Sequence, residues 1–108
     1  MMKYNILQIA DISRTGCDYA FMNYKFAQSH GFNITRDYKV TYTGYLTSWN
    51  EDADPYNILE DLFCQFNQSR PIDFHGHSLS VSDIVILHCE NKPSRFFYCD
   101  SFGWEEII

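Results

Sequence analysis

Basic residues are scarce in this sequence: 8 Lys and Arg stand against 14 Asp and Glu over 108 residues, for a formal charge of −6. Non-specific nucleic-acid binding needs many cations to neutralise phosphates, so that class is disfavoured, and no basic stripe with interleaved aromatics appears. Direct nucleic-acid binding is not expected; a basic or neutral partner is. Glycine (5) and proline (3) are also sparse. There is no glycine-rich phosphate loop, no linker-like stretch, no low-complexity segment and no internal repeat. No apolar run approaches the roughly 20 residues needed to cross a bilayer. The start, Met1-Met2-Lys3-Tyr4, has no signal-peptide apolar region, which predicts a cytoplasmic protein without membrane insertion. The four cysteines, Cys17, Cys64, Cys89 and Cys99, include no C-x-x-C pair. Each lies in or beside an apolar run, and all four are expected to be reduced core residues.

Apolar material is plentiful, with 45% hydrophobic and 18% aromatic residues. That is enough for one core at the usual size of a single domain, so residues 1–108 are expected to form one domain. Lys3 to Ile9 reads as a first strand, ended by the turn chemistry of Asp11 to Gly16. Tyr19, Met22 and Phe26 then recur at helical spacing. With Asp18 as N-cap and Gly31 beyond the end, a helix is predicted over Tyr19 to His30. Between Arg36 and Tyr45 the alternation puts Tyr38, Val40 and Tyr42 on one face of a strand. Asp54-Pro55 supplies an N-cap and a first-turn proline. The stripe Ile58, Leu59, Leu62, Phe63 and Phe66 continues as a second helix, stopped by Ser69-Arg70-Pro71. Ile84-Val85-Ile86-Leu87 is apolar on both faces, as in a central strand. Glu90 to Ser94 supplies a turn, and Arg95 to Cys99 returns. The fold class that follows is α+β: a small, mostly antiparallel sheet, two amphipathic helices packed on one face, and a C-terminal β-hairpin.

Several clusters imitate chemistry. Gly76-His77-Ser78-Leu79-Ser80 resembles a nucleophile elbow, but Ser80 replaces the closing glycine and a strand follows where a helix is required. His75 and His77 with Asp83 outline a metal site, as in a small metal-dependent hydrolase; the spacing of Ser80-Val81-Ser82-Asp83 is too short for the related zinc peptidases. Ser78, Ser80, Ser82 and Asp83 are better read as organising a loop that enters a buried strand through backbone hydrogen bonds. No catalytic residue, metal ligand or cofactor is therefore assigned, and no enzymatic activity is expected. The surface candidates are acidic. Glu51, Asp52 and Asp54 lie beside Trp49, and Asp100, Glu105 and Glu106 surround Trp104. A tryptophan among carboxylates can anchor a basic partner while charge steers the encounter. The alternative is a solvated loop whose tryptophan is tucked into the core.

The run Gly76-His77-Ser78-Leu79-Ser80-Val81-Ser82-Asp83-Ile84, followed by the aromatic strand through Tyr98-Cys99-Asp100-Ser101-Phe102-Gly103-Trp104, resembles the YodL-like domains of bacterial mobile elements. Those domains pair G-[HR]-S-L-S-V-S-D-[VI] with a later tyrosine-containing strand and a D-x-x-G-F-like close. Here Phe102 precedes Gly103, and the aromatic after the glycine is the larger Trp104. The resemblance is strongest over the last third and implies a context: phage and conjugative-element proteins, frequently near antirestriction functions. It implies a non-enzymatic protein-binding module that modulates or inhibits a host or defence protein, for example an anti-CRISPR inhibitor of an RNA-guided nuclease with a basic surface. A structural accessory module for assembly within a larger mobile-element system is the alternative.

Overall fold

In the computed structural model, residues 2–13, 16–47, 49–50 and 52–107 are described. Five strands form one antiparallel sheet: β1 (Met2–Ile9), β2 (Tyr38–Leu46), β3 (Ile84–His88), β4 (Arg95–Asp100) and β5 (Gly103–Glu106), in the order β2-β1-β3-β4-β5. Three helices accompany them: α1 (Tyr24–Ser29), α2 (Ile34–Asp37) and α3 (Pro55–Gln68). The α+β class, the antiparallel sheet and the C-terminal hairpin are as the sequence predicts. No helix among the described residues is long and apolar enough to cross a membrane.

The apolar positions explain the layering. Along β1 and β3 side chains alternate, and both faces are buried. Met2, Tyr4, Ile6, Val85, Leu87 and Phe97 join Ile58, Leu59, Leu62 and Phe66 of α3 in one core. Leu7, Ile9, Ile84, Ile86 and Tyr98 join Tyr19 and Ala27 of the α1 region in a second core. The helices thus divide between the two faces, which corrects the expectation that they share one. The continuous apolar run of β3 is the physical reason, since a strand with two apolar faces needs a cover on each.

Helix α3 forms as the sequence dictates. Asp54 accepts the Tyr56 N–H at 3.0 Å, Pro55 fills the first turn, and the stripe from Ile58 to Phe66 is buried. The first helix is shorter than predicted. Asn23, not Asp18, is its N-cap, accepting the Phe26 N–H at 2.8 Å. Residues 21 and 22 are held instead by long-range bonds: the Phe21 N–H donates to Ser82 Oγ (2.9 Å), and the Tyr98 hydroxyl donates to the Met22 carbonyl (2.6 Å). Phe21 takes φ +65°, which no helix continues through. Gly31 follows α1 at φ +82°, as a residue past a helix end commonly does.

Strand β2 carries a bulge. Tyr42 faces Ile6 and Val40 faces Leu7, so Thr41 is extra and the side-chain alternation reverses. Tyr38 therefore enters the α1-side core and Tyr42 packs on the α3-side core, correcting their expected common face. All four cysteines are free thiols; Cys99 is buried, Cys17 and Cys89 are partly buried, and Cys64 is exposed on α3 rather than in the core.

Candidate functional site

The loop before β3 is built to hold one buried carboxylate. Asp83, 1% exposed, accepts the Ser80 N–H (2.8 Å) and the Gln8 amide (3.1 Å) on the same oxygen, Oδ2. The Asp83 N–H returns to the Ser80 carbonyl at 3.0 Å, closing the turn. Leu79 is buried in the α3-side core. Ser82 adopts φ +82°, and its carbonyl accepts the Tyr38 hydroxyl at 2.6 Å. Burial pushes the Asp83 carboxyl up to about 7, against the opposing pull of the Ser80 and Gln8 donors.

Gly76 is required by close approach. A Cβ there would collide with Gln8 Oε1 and reach the Phe74 ring at 2.9 Å. Gln8 is 1% exposed, donates to the His77 carbonyl at 2.8 Å, and leaves Oε1 buried without a hydrogen-bond partner among the described residues.

His77 stands beside Asp83, Nε2 to Oδ1 3.8 Å, while its Nδ1 lies 2.7 Å from the Ser78 carbonyl. His75 is exposed. Among the described residues no group of three or more His, Cys, Asp or Glu side chains is placed to hold a metal ion. Ser80 Oγ donates to the Ser78 carbonyl at 2.7 Å. Ser80 Oγ and Asp83 thus bond the loop's own backbone, as short polar side chains do at a strand entrance, while Ser82 Oγ and Asp83 also hold Phe21 and Gln8.

A second polar chain crosses the sheet, with no signal in the sequence beyond its residue types. The Asn5 amide donates to Thr43 Oγ1 (2.7 Å), so Asn5 Oδ1 accepts from His88 Nε2 (2.5 Å). His88 Nδ1 then accepts from Ser94 Oγ (2.7 Å). Every member is satisfied within the chain. Burial, and Lys3 nearby, lower the His88 pKa.

The acidic candidates separate into two groups. In the first, Trp49 is half-buried and packs against the α3-side core, Asp52 is exposed, and Asp54 is engaged as the α3 cap. Glu51 lies outside the described residues.

In the second group, Asp100, Trp104, Glu105 and Glu106 line one open cleft of about 640 Å3 at the β4–β5 end of the sheet, with Asn23, Lys25, Tyr56 and Phe102. Trp104 is half-buried against the same core as Trp49. Asp100 accepts the Tyr24 N–H (3.2 Å) and the Ser101 N–H (2.9 Å). Glu106 is paired with Arg95 through two bonds of 2.7 and 2.8 Å, and that ion pair holds its carboxyl below the usual range. Glu105 is exposed. The fully exposed Phe102 at the hairpin tip was not among the candidates. Asp100-x-x-Gly103 is the turn signal that could have found it, since a two-residue connection displays its side chains to solvent.

The family model of the YodL-like domain matches residues 3–108, and the chain belongs to that family. Among curated proteins and among solved structures no match is found.

Proposed function

We propose that the chain is a non-enzymatic protein-binding module of a mobile genetic element that modulates or inhibits a host or defence protein in the cytoplasm. The observation that carries this reading is the cleft at the β4–β5 end, where an exposed aromatic, a half-buried tryptophan and several carboxylates meet in one open surface. Aromatic anchors beside charge are the usual makings of a contact surface. A target with a basic groove, such as an RNA-guided nuclease, fits the sign of the charge, because carboxylates can occupy positions meant for phosphates. The family membership supports the mobile-element setting, and the bonds of Ser80, Ser82 and Asp83 to backbone groups and to Gln8 support a structural role for the motif residues.

A cleavage assay tests the proposal directly. The purified chain, titrated against a bacterial RNA-guided nuclease, should reduce DNA cleavage and comigrate with the nuclease on size exclusion. Glu105→Lys should relieve inhibition by about tenfold or more, since a like-charge contact costs over a kcal/mol. Asp52→Lys reads the Trp49 group in the same way. Full cleavage in the presence of excess folded protein, with no complex formed, would refute inhibition of that nuclease class.

A further inference from the structure

We propose that β5 is a docking edge, along which a partner protein lays an extended, basic segment as a sixth strand. The inference rests on the protein-binding reading above and specifies how that surface is used.

The backbone provides the first support. The Ile107 N–H donates to the Phe96 carbonyl at 2.9 Å, and Glu105 and Gly103 are the β5 residues opposite Tyr98 and Asp100. Backbone groups alternate in direction along an antiparallel pair, so the N–H and C=O of Trp104 and Glu106 point away from β4. Among the described residues β5 has a sheet neighbour on one side only. Unpaired edge groups of this kind are a template for another strand.

The two sheet edges are not equivalent. Strand β2, at the other edge, carries the Thr41 bulge and the exposed Lys39, two devices that discourage strand addition. Strand β5 carries no bulge among its described residues, and its exposed charges, Glu105 and Glu106, are acidic, so they discourage an acidic strand and not a basic one. It is flanked by open space instead: the cleft of about 640 Å3 and a second of about 200 Å3 share Asp100, Ser101, Gly103 and Trp104.

The occupant's chemistry follows from what lines that space. Side chains of an added strand alternate between two faces. One face meets Trp104, with Phe63 and Val81 in the smaller cleft, and takes an apolar residue. Carboxylates dominate the charge around the edge. Glu106 is neutralised by Arg95, which leaves Glu60, Asp100 and Glu105 against Lys25 alone. A segment alternating apolar and basic residues is therefore complementary, and an acidic one is repelled.

Selection of displayed random peptides against the full chain, followed by amide exchange and binding measurements, tests this. Selected peptides should be basic and β-prone, and should slow exchange at the Trp104 and Glu106 amides. Glu106→Pro removes an outward N–H and the Arg95 pair, whereas Glu106→Ala removes only the pair. Loss of a backbone bond at the edge predicts that the proline variant binds about tenfold more weakly than the alanine variant. If the proline variant does not fold, protection of the two amides in the unsubstituted chain still decides the matter. Strand addition is overturned if binders leave those amides unprotected, if no binder emerges, or if a second copy of the chain protects them. Binders sensitive to Glu105→Lys but not to Glu106→Pro would overturn strand addition and leave the acidic surface standing. Binders indifferent to both would remove the surface as well.

Discussion

Replacing Asp83 with asparagine should change how the protein's stability depends on pH far more than it changes stability at acid pH. The carboxyl ordinarily ionises near 3.8, and burial raises this to about 7 in the folded chain. Between those values the unfolded chain is ionised at Asp83 while the folded chain holds a proton. Folding takes up that proton, so the aspartate's penalty is absent below pH 4, grows through pH 4–7, and is complete above about 7. At about 1.4 kcal/mol per pH unit the full penalty is on the order of 4 kcal/mol.

Asparagine cannot ionise, yet its carbonyl oxygen can stand at the position of Oδ2, which takes both the Ser80 and Gln8 bonds. Its buried NH2 at the Oδ1 position costs about 1–3 kcal/mol if left unpaired, but that cost is the same at every pH. Wild type minus Asp83→Asn, measured by urea unfolding at half-unit steps from pH 4 to pH 8.5, should therefore fall by about 4 kcal/mol across the range and flatten above about 7. Taking the difference matters because other groups slope the opposite way. Asp37 and Glu106 are held below their usual values by Arg36 and Arg95, and their stabilisation is lost as pH falls through the acid range. His88, held below 6.5, likewise contributes above that value and loses its contribution as pH falls. A difference curve that is flat within about 1 kcal/mol would refute the assignment of a buried, proton-retaining Asp83.

Asp83→Ala should destabilise at pH 4.5 by about 2–3 kcal/mol, because it strands the Ser80 N–H and opens a cavity, and should be close to neutral at pH 8, where removing the ionisation penalty returns about 3 kcal/mol. Gly76→Ala should cost about 1–3 kcal/mol, read as a lowered Tm, since the added methyl meets buried Gln8 and the Phe74 ring from a tight turn. Tyr19→Phe should cost about 1–2 kcal/mol in urea unfolding. The buried hydroxyl donates to Asp37 at 2.6 Å and accepts the Asn33 N–H at 3.2 Å. Arg95→Ala should leave unfolding within about 1 kcal/mol of wild type, because exposed ion pairs contribute little.

What the sequence reveals of this fold depends on whether the determining interactions are local. Helix α3 was legible to its first residue, because Asp54, Pro55 and an apolar stripe act within a few positions of one another. The central strand β3 was legible because its burial on both faces is written in four consecutive aliphatic residues. The shortened α1 was not. Tyr19, Met22 and Phe26 do have helical spacing, but Ser82 and Tyr98, some 60 to 76 positions away, capture the backbone of residues 21 and 22. Nor was the bulge at Thr41, which shows only in the pairing with β1. The division of helices between faces and the β5 pairing are properties of the assembled sheet and leave no local pattern.

The candidate site was legible in its residue types and less so in their roles. Acidity suggested six carboxylates around Trp49 and Trp104 as one kind of surface, yet the fold uses their side chains unequally. Asp54 caps a helix, Asp100 ties the start of α1 to the end of β4, and Glu106 is closed by Arg95. A carboxylate already holding such partners gives up those bonds to meet a new one, which offsets most of the gain. Asp52 and Glu105, exposed and away from these bonds, keep their charge available to a partner. The same reasoning separates the loop before β3 from the β4–β5 end. Gly76 through Asp83 is tied to its own backbone, to Gln8 and to Phe21 and Tyr38, so substitutions there should act through folding. Asp100 through Glu106 ends on an edge where the Trp104 and Glu106 N–H groups face away from β4 and Phe102 is exposed, so substitutions there can change binding while the fold stands. The proposed partner is therefore to be sought along β5, where hydrogen-bonding capacity, apolar surface and unneutralised charge coincide.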